Sequence, residues 1–145
     1  MALFDAFLKL DGIEGESTDH KHKGEIQLES FSWGAQNASS VGTEGGGAGA
    51  GKVSFQDFSF TARVGTQSSQ LFRALVDGKH LETGTLTVND GKEQEIIVVL
   101  SDVLVSSYKE DVNFATVQCD RDEQKNNAPT ESVSLNFAKI EFKSS

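Results

Sequence analysis

The residues Gly46 to Lys52 stand one position short of a phosphate-binding loop. That loop needs Gly, four residues, Gly, Lys and then a Ser or Thr hydroxyl to hold magnesium. Here the last position is Val53, and VSFQDFSF follows with the alternation of a strand. A phosphate loop must instead open a helix, so that its terminal amides and dipole face the anion. A nucleotide-binding protein using Lys52 is thus the alternative reading of this stretch. As architecture, Gly42 to Lys52 holds six of the 14 glycines (Gly42, Gly45, Gly46, Gly47, Gly49 and Gly51) between two strand-like segments. A long excursion of that kind is an element a protein extends toward a neighbour.

Other groups able to do chemistry are sparse. His20 and His22 sit two apart beside Asp19, a spacing that brings two ligands to a metal if the segment is extended, but no third ligand type clusters with them. Asp11, Glu14, Glu16 and Asp19 do not follow the order of a calcium loop and read as a solvated acidic loop. His80 follows a helical segment and is explained as a cation at its carbonyl end. Cys119 is the one cysteine, which excludes an intrachain disulfide, and no histidine neighbours it in sequence. No nucleophile, histidine and acid carry a local catalytic signature. Neither catalytic residues, nor a metal, nor a cofactor are expected.

A chain of 145 residues corresponds to a single domain, taken as 1–145. Its net charge of −9 repels phosphate backbones and anionic headgroups, which argues against nucleic acid and membrane insertion as partners. MALFDAFLKLDG has no basic start and no unbroken apolar run, so no signal peptide is expected. The longest apolar run elsewhere, Ile96 to Leu100, is far below the roughly 20 residues of a membrane helix.

The elements that must position these residues are mostly strands. Phe4, Ala6, Leu8 and Leu10 alternate with Asp5 and Lys9, the period of a half-buried strand. Four later segments change phase: at Glu29 and Ser30, at Gln56 and Asp57, at Ser101 and Asp102, and at Ala138 and Lys139. A slip of one residue turns every later side chain to the opposite face, so these positions predict bulges or strands that bury first one face and then the other. Beyond the first slip, Phe31 and Trp33 face one way and Ser32 the other, which makes this triplet a candidate subunit-interface site, with core packing the favoured reading of Trp33 alone. One helix is predicted, capped by Ser68 or Ser69, with an apolar stripe of Leu71, Phe72, Leu75 and Val76 and a stop at Gly78. A hairpin follows with its turn at Asn89 to Lys92, and Pro129 precedes the last strand.

KGEIQLESFSWG at Lys23 to Gly34, GGGAGAGKVSFQDFSF at Gly45 to Phe60, GKH at Gly78 to His80, DVLVSSY at Asp102 to Tyr108 and TESVSLNFAKIEF at Thr130 to Phe142 resemble the haemolysin-coregulated protein (Hcp) family, tail-tube subunits of bacterial type VI secretion systems. GESTDHKHKGEI at Gly15 to Ile26 fits the same family, so the resemblance spans nearly the whole chain. It implies a homo-hexamer whose rings stack into a hollow tube, expelled from the bacterial cytoplasm by a contractile sheath and secreted without a signal peptide. The implied partners are a spike protein, the sheath and small effector proteins carried in the lumen. The resemblance also assigns Gly42, Gly45, Gly46, Gly47, Gly49, Gly51 and Lys52 to a loop that reaches the next ring. One departure is the charged segment Lys109 to Asn127, longer than the short glycine-rich link of the family. The end at Ser145, three residues past the last strand, leaves no room for an appended effector domain. The fold expected is all-β with one flanking α-helix, a compact β-barrel of two packed, mostly antiparallel sheets.

Overall fold

The computed structural model describes residues 4–37, 53–90, 94–112 and 129–144. The glycine stretch Gly42 to Lys52, Cys119 and residues 113–127 of the charged segment lie outside the described residues. So do residues 91–93 of the predicted hairpin turn. The elements are β1 (Asp5–Leu10), β2 (Ile26–Asn37), β3 (Val53–Arg63), α1 (Thr66–Asp77), β4 (His80–Asn89), β5 (Glu95–Asp111) and β6 (Thr130–Ser144).

The expectation of a β-barrel built from two packed sheets is overturned. All six strands belong to one sheet in the order β1-β2-β3-β6-β5-β4, and β1 pairs with β4 as well as with β2, so the ladder closes on itself. Every pairing is antiparallel. The changes of face are absorbed inside long continuous strands: β5 runs for 17 residues and β6 for 15.

Two of the four slips are register shifts, between Leu28 and Ser30 and between Ser32 and Gly34 on β2, the latter opposite the Gln56–Ser59 region of β3. The other two need no shift, because neighbouring strands slip together. Buried positions pass from Val98 and Leu100 to Val103 and Val105 on β5, and from Leu81 to Gly84 and Leu86 on β4. On β6, Val133 and Leu135 give way past Ala138 to half-buried Ile140. Thr83, Ser101 and Lys139 lie in one cross-strand row at this turn. A slip shared by every strand in the row preserves the hydrogen-bond register while turning the sheet's face.

The inward side chains form one cluster that draws on all six strands and on Leu71 and Ala74 of α1. Leu8, Phe58, Leu86, Val98, Leu100 and Leu135 have no exposed surface. Full burial of such side chains stabilises by about 1.5–3 kcal/mol each, so this cluster supplies the main drive for closing the sheet.

Candidate assembly surfaces

The helix closes one end of the sheet, and its seating is polar as well as apolar. Its N-cap is Gly65 and its C-cap is Gly78, left-handed at φ 62°. The predicted cap at Ser68 or Ser69 is corrected by this boundary. Ser68 is the third helical residue, and its hydroxyl accepts from the Gly65 amide at 2.9 Å. The same hydroxyl donates to Glu131 Oε1, and Gln67 Nε2 donates to Glu131 Oε2 at 3.0 Å. Tyr108 OH reaches Glu131 Oε1 at 3.2 Å and Glu110 Oε1 at 2.8 Å. Glu131 is fully buried, and these donors satisfy a carboxylate that would otherwise be costly to remove from water. Nearby, Thr66 Oγ1 donates to Glu16 Oε2 at 2.7 Å, fixing the acidic loop against the first turn.

Because Gln67 and Ser68 turn inward to meet Glu131, the helix is rotated from the predicted stripe. Gln67, Ser68, Leu71 and Ala74 are buried, Leu75 is partly buried, and Phe72 and Val76 are exposed. Burial pushes the Tyr108 phenol well above its ordinary range, and the adjoining Glu110 and Glu131 carboxylates add to the effect.

At the opposite end the closed ladder parts. β3 and β6 pair from Arg63↔Thr130 to Phe58↔Leu135 and no further, although β3 starts at Val53 and β6 continues to Ser144. Beyond that point each stays paired on its other side only, to β2 and to β5, among the described residues. Aromatic side chains bridge the parted strands. Phe55 meets Phe137 edge-on with ring centres 5.9 Å apart, and Trp33 lies tilted on Phe142 at 5.5 Å. Phe55, Phe142 and Val53 are each more than half exposed (52%, 57% and 51%). These apolar groups lie exposed beside strand edges that have no partner among the described residues.

The outer face of β2, β3, β6 and the second half of β5 is lined with hydroxyls. Ser30 and Thr61 bond across the strands at 2.6 Å, and Ser59 and Ser134 at 3.2 Å. Ser32, Ser107 and Ser132 border the same shallow concavity. Ser32 is exposed on this face, while Phe31 and Trp33 turn the other way and pack against the core, Phe31 stacking on Phe58 at 6.2 Å. The triplet is therefore split between two surfaces, as its alternation predicted.

The histidines serve structure. His22 stacks on Phe7 with ring centres 4.4 Å apart and bonds Glu25 Oε1 through Nδ1 at 3.1 Å, while His20 is exposed. His80 is corrected from a helix-end cation to the first residue of β4, where its Nδ1 lies 2.7 Å from Asp102 Oδ1. No group of three or more metal-ligating side chains occurs among the described residues. Among them, also, no helix is long and apolar enough to cross a membrane. Val53 opens β3, so the residue after Lys52 begins a strand and not the helix a phosphate loop requires. The buried Glu131, Gln67 and Ser68 cluster was missed from sequence, where polar residues in strand and helix positions carry no sign of burial.

A closed antiparallel sheet with one plugged end, one parted aromatic end and a hydroxyl-rich face belongs to the class of β-structured assembly subunits. Residues 7–143 match the family model described as type VI secretion system effector, Hcp. Protein hcp1 of Pseudomonas aeruginosa is 37% identical over 138 residues, covering 83% of this chain and 85% of its own. A solved type six secretion system protein is 27% identical with a TM-score of 0.78, covering 96% of this chain and 82% of that one. Hcp1 from Salmonella typhimurium is 26% identical with a TM-score of 0.72, covering 94% and 84%. The chain belongs to the Hcp family of type VI secretion proteins. It is a tube subunit that oligomerises and leaves the cytoplasm through the type VI apparatus by sheath contraction, with spike, sheath and effector proteins as its partners.

Proposed function

We propose a division of labour among three surfaces of this tube subunit. The parted end, with Trp33, Phe55, Phe137 and Phe142, closes the hexameric ring against the neighbouring copy. The hydroxyl face, with Ser32 at its centre, lines the bore. The stretch Gly42 to Lys52, with Gly42, Gly45, Gly46, Gly47, Gly49, Gly51 and Lys52, reaches the next ring, where the lack of side chains permits close backbone approach. Ordering such a stretch opposes binding, so stacking is weaker than ring closure and rings polymerise when templated.

The observation that carries this reading is the exposure of Phe55 and Phe142 beside strand edges that have no partner among the described residues. The double variant Phe55→Ser, Phe142→Ser tests it. A folded monomer by circular dichroism with no hexamer by native mass measurement is the expected result, and intact hexamers would move ring closure elsewhere. Deleting Gly45 to Gly49 separates the second role: rings persist and tubes are lost, whereas monomers would refute the division.

A further inference from the structure

The hydroxyl face carries one fixed anion. Asp57 projects from the irregular stretch of β3 opposite Ser32 and Gly34. Ser106 Oγ donates to its Oδ2 at 3.1 Å, and the side-chain amide of Asn136 also faces this carboxylate. Both supports are neutral, and no cationic side chain pairs with Asp57 among the described residues. The same hydroxyl lies 3.1 Å from the Ser134 carbonyl, so its single proton is shared between the two acceptors. The carboxylate is thus held in place by groups that leave its charge uncompensated. Ion-paired acids elsewhere, such as Glu29 with Arg63 and Glu141 with Lys139 and Lys143, differ in this respect.

The surroundings sharpen the contrast. In a chain that is 24% charged, the shallow concavity of this face is bordered by Ser59, Thr61, Ser132 and Ser134, with Lys109 as its one charged residue. On this face Lys109 pairs with Ser132 on β6, whereas Asp57 lies beside Asn136. Four residues of strand put those two rows about 13 Å apart. Lys109 is moreover engaged with Asp111 at 3.8 Å.

We infer that Asp57 is a specificity-determining contact of this face, taking a lysine or arginine side chain of a protein carried against it. The occupant is argued from charge complementarity: a lone positioned anion among short neutral hydroxyls offers cationic groups a partner and gives an anionic surface none. The inference rests on the reading of this face as the bore, in which ring symmetry repeats Asp57 once per subunit and lets a basic cargo engage several copies.

The test uses assembled wild-type, Asp57→Asn and Glu82→Gln rings, each first confirmed by native mass measurement. Glu82 is an exposed acid of β4 and controls for general loss of negative charge. Binding of a fluorescent tetralysine peptide is followed by anisotropy at low salt, with tetraglutamate as the opposite probe. A fall of roughly threefold or more in tetralysine affinity for Asp57→Asn, with Glu82→Gln near wild type, is expected from the weight of one solvent-accessible ion pair repeated around a ring. Equal affinity for wild type and Asp57→Asn, or an equal fall in both variants, overturns the inference. A Ser32→Cys variant, with wild-type labelling subtracted, isolates the underlying reading. If a bulky maleimide polymer labels it as fast in rings as in dissociated subunits, the face is not a bore and both statements fall. Protection of that cysteine together with unchanged Asp57→Asn binding overturns the inference alone.

Discussion

His80 Nδ1 lies 2.7 Å from Asp102 Oδ1, and Asp102 is the one non-glycine residue with positive φ, at 55°, among the described residues. The pair joins β4 to β5 at the row where the sheet's buried face changes parity. A side chain in the left-handed region is strained unless its own polar group helps, and Asp tolerates the region better than most residues. His80 therefore fastens the residue whose backbone makes the turn of the face.

Asp102→Val is accordingly expected to lower stability by about 1–2 kcal/mol, the cost of a branched residue in the left-handed region. Asp102→Asn, which tolerates the same conformation, should remain within about 1 kcal/mol of wild type. Urea midpoints at constant slope distinguish the two. An Asn variant as weak as the Val variant would mean that the carboxylate's contact with His80, and not the backbone conformation, carries the effect.

Tyr108 sets an alkaline limit. Its phenol is raised in the folded state, first by burial and then by the Glu110 hydrogen bond and the carboxylates beside it. The unfolded chain gives up this proton near the ordinary phenol value of 10.0 while the folded chain keeps it. The folded form then binds more protons, so stability is intact below that pH and falls as pH rises above it. Denaturant unfolding above and below this pH should show the decline in wild type, with a smaller slope in Tyr108→Phe. Since Tyr108 is the only tyrosine, ultraviolet absorbance of phenolate reads its titration directly. A midpoint at the ordinary value in the folded protein would remove the premise.

The sequence made strands legible where alternation is strict, as from Phe4 to Leu10, and it placed all four changes of phase. It did not separate bulges from a turn shared by several strands. The third member of the shared turn is Gly84 on β4, which has no side chain to mark a face. For that reason the slip on β4 was not legible, although the sheet turns there as a unit. The helix was legible as an element, but its orientation was not. Leu71, Phe72, Leu75 and Val76 make an apolar stripe on hydrophobicity alone, yet the buried Glu131 draws Gln67 and Ser68 inward and leaves Phe72 and Val76 outside. Ser32 and its hydroxyl neighbours were only partly legible, because the face they form depends on which strands pair.

Glu131 should prove the most sensitive polar position. Glu131→Ala leaves the Ser68 hydroxyl and one Gln67 amide proton facing a void, at about 1–3 kcal/mol for each group left unsatisfied, while Tyr108 keeps Glu110 and Gln67 keeps the Arg63 carbonyl. Glu131→Gln keeps the volume and an accepting oxygen and should cost less. Hydrogen exchange on α1 is the discriminating measurement. Selective loss of protection in the helix is expected for the Ala variant, while uniform loss across the strands would show that Glu131 supports the sheet rather than the helix.

Gly84 offers a test of the shared turn through a pair of residues. A Cβ built at Gly84 would meet Leu10 Cδ2 at 2.8 Å, a contact that obliges the leucine to shift. Leu10 faces Gly84 directly across the β1–β4 pairing and is almost fully buried. Gly84→Ala should therefore destabilise by about 1–3 kcal/mol through overpacking. Leu10→Val alone removes buried volume and costs about 1 kcal/mol, as a one-methylene truncation does. In combination the smaller valine makes room for the new methyl, so the double variant should be more stable than the sum of the single costs by 0.5 kcal/mol or more, roughly the lower bound for residues in contact. Additive losses would place the intolerance at Gly84 in the backbone and not in the space that Leu10 fills.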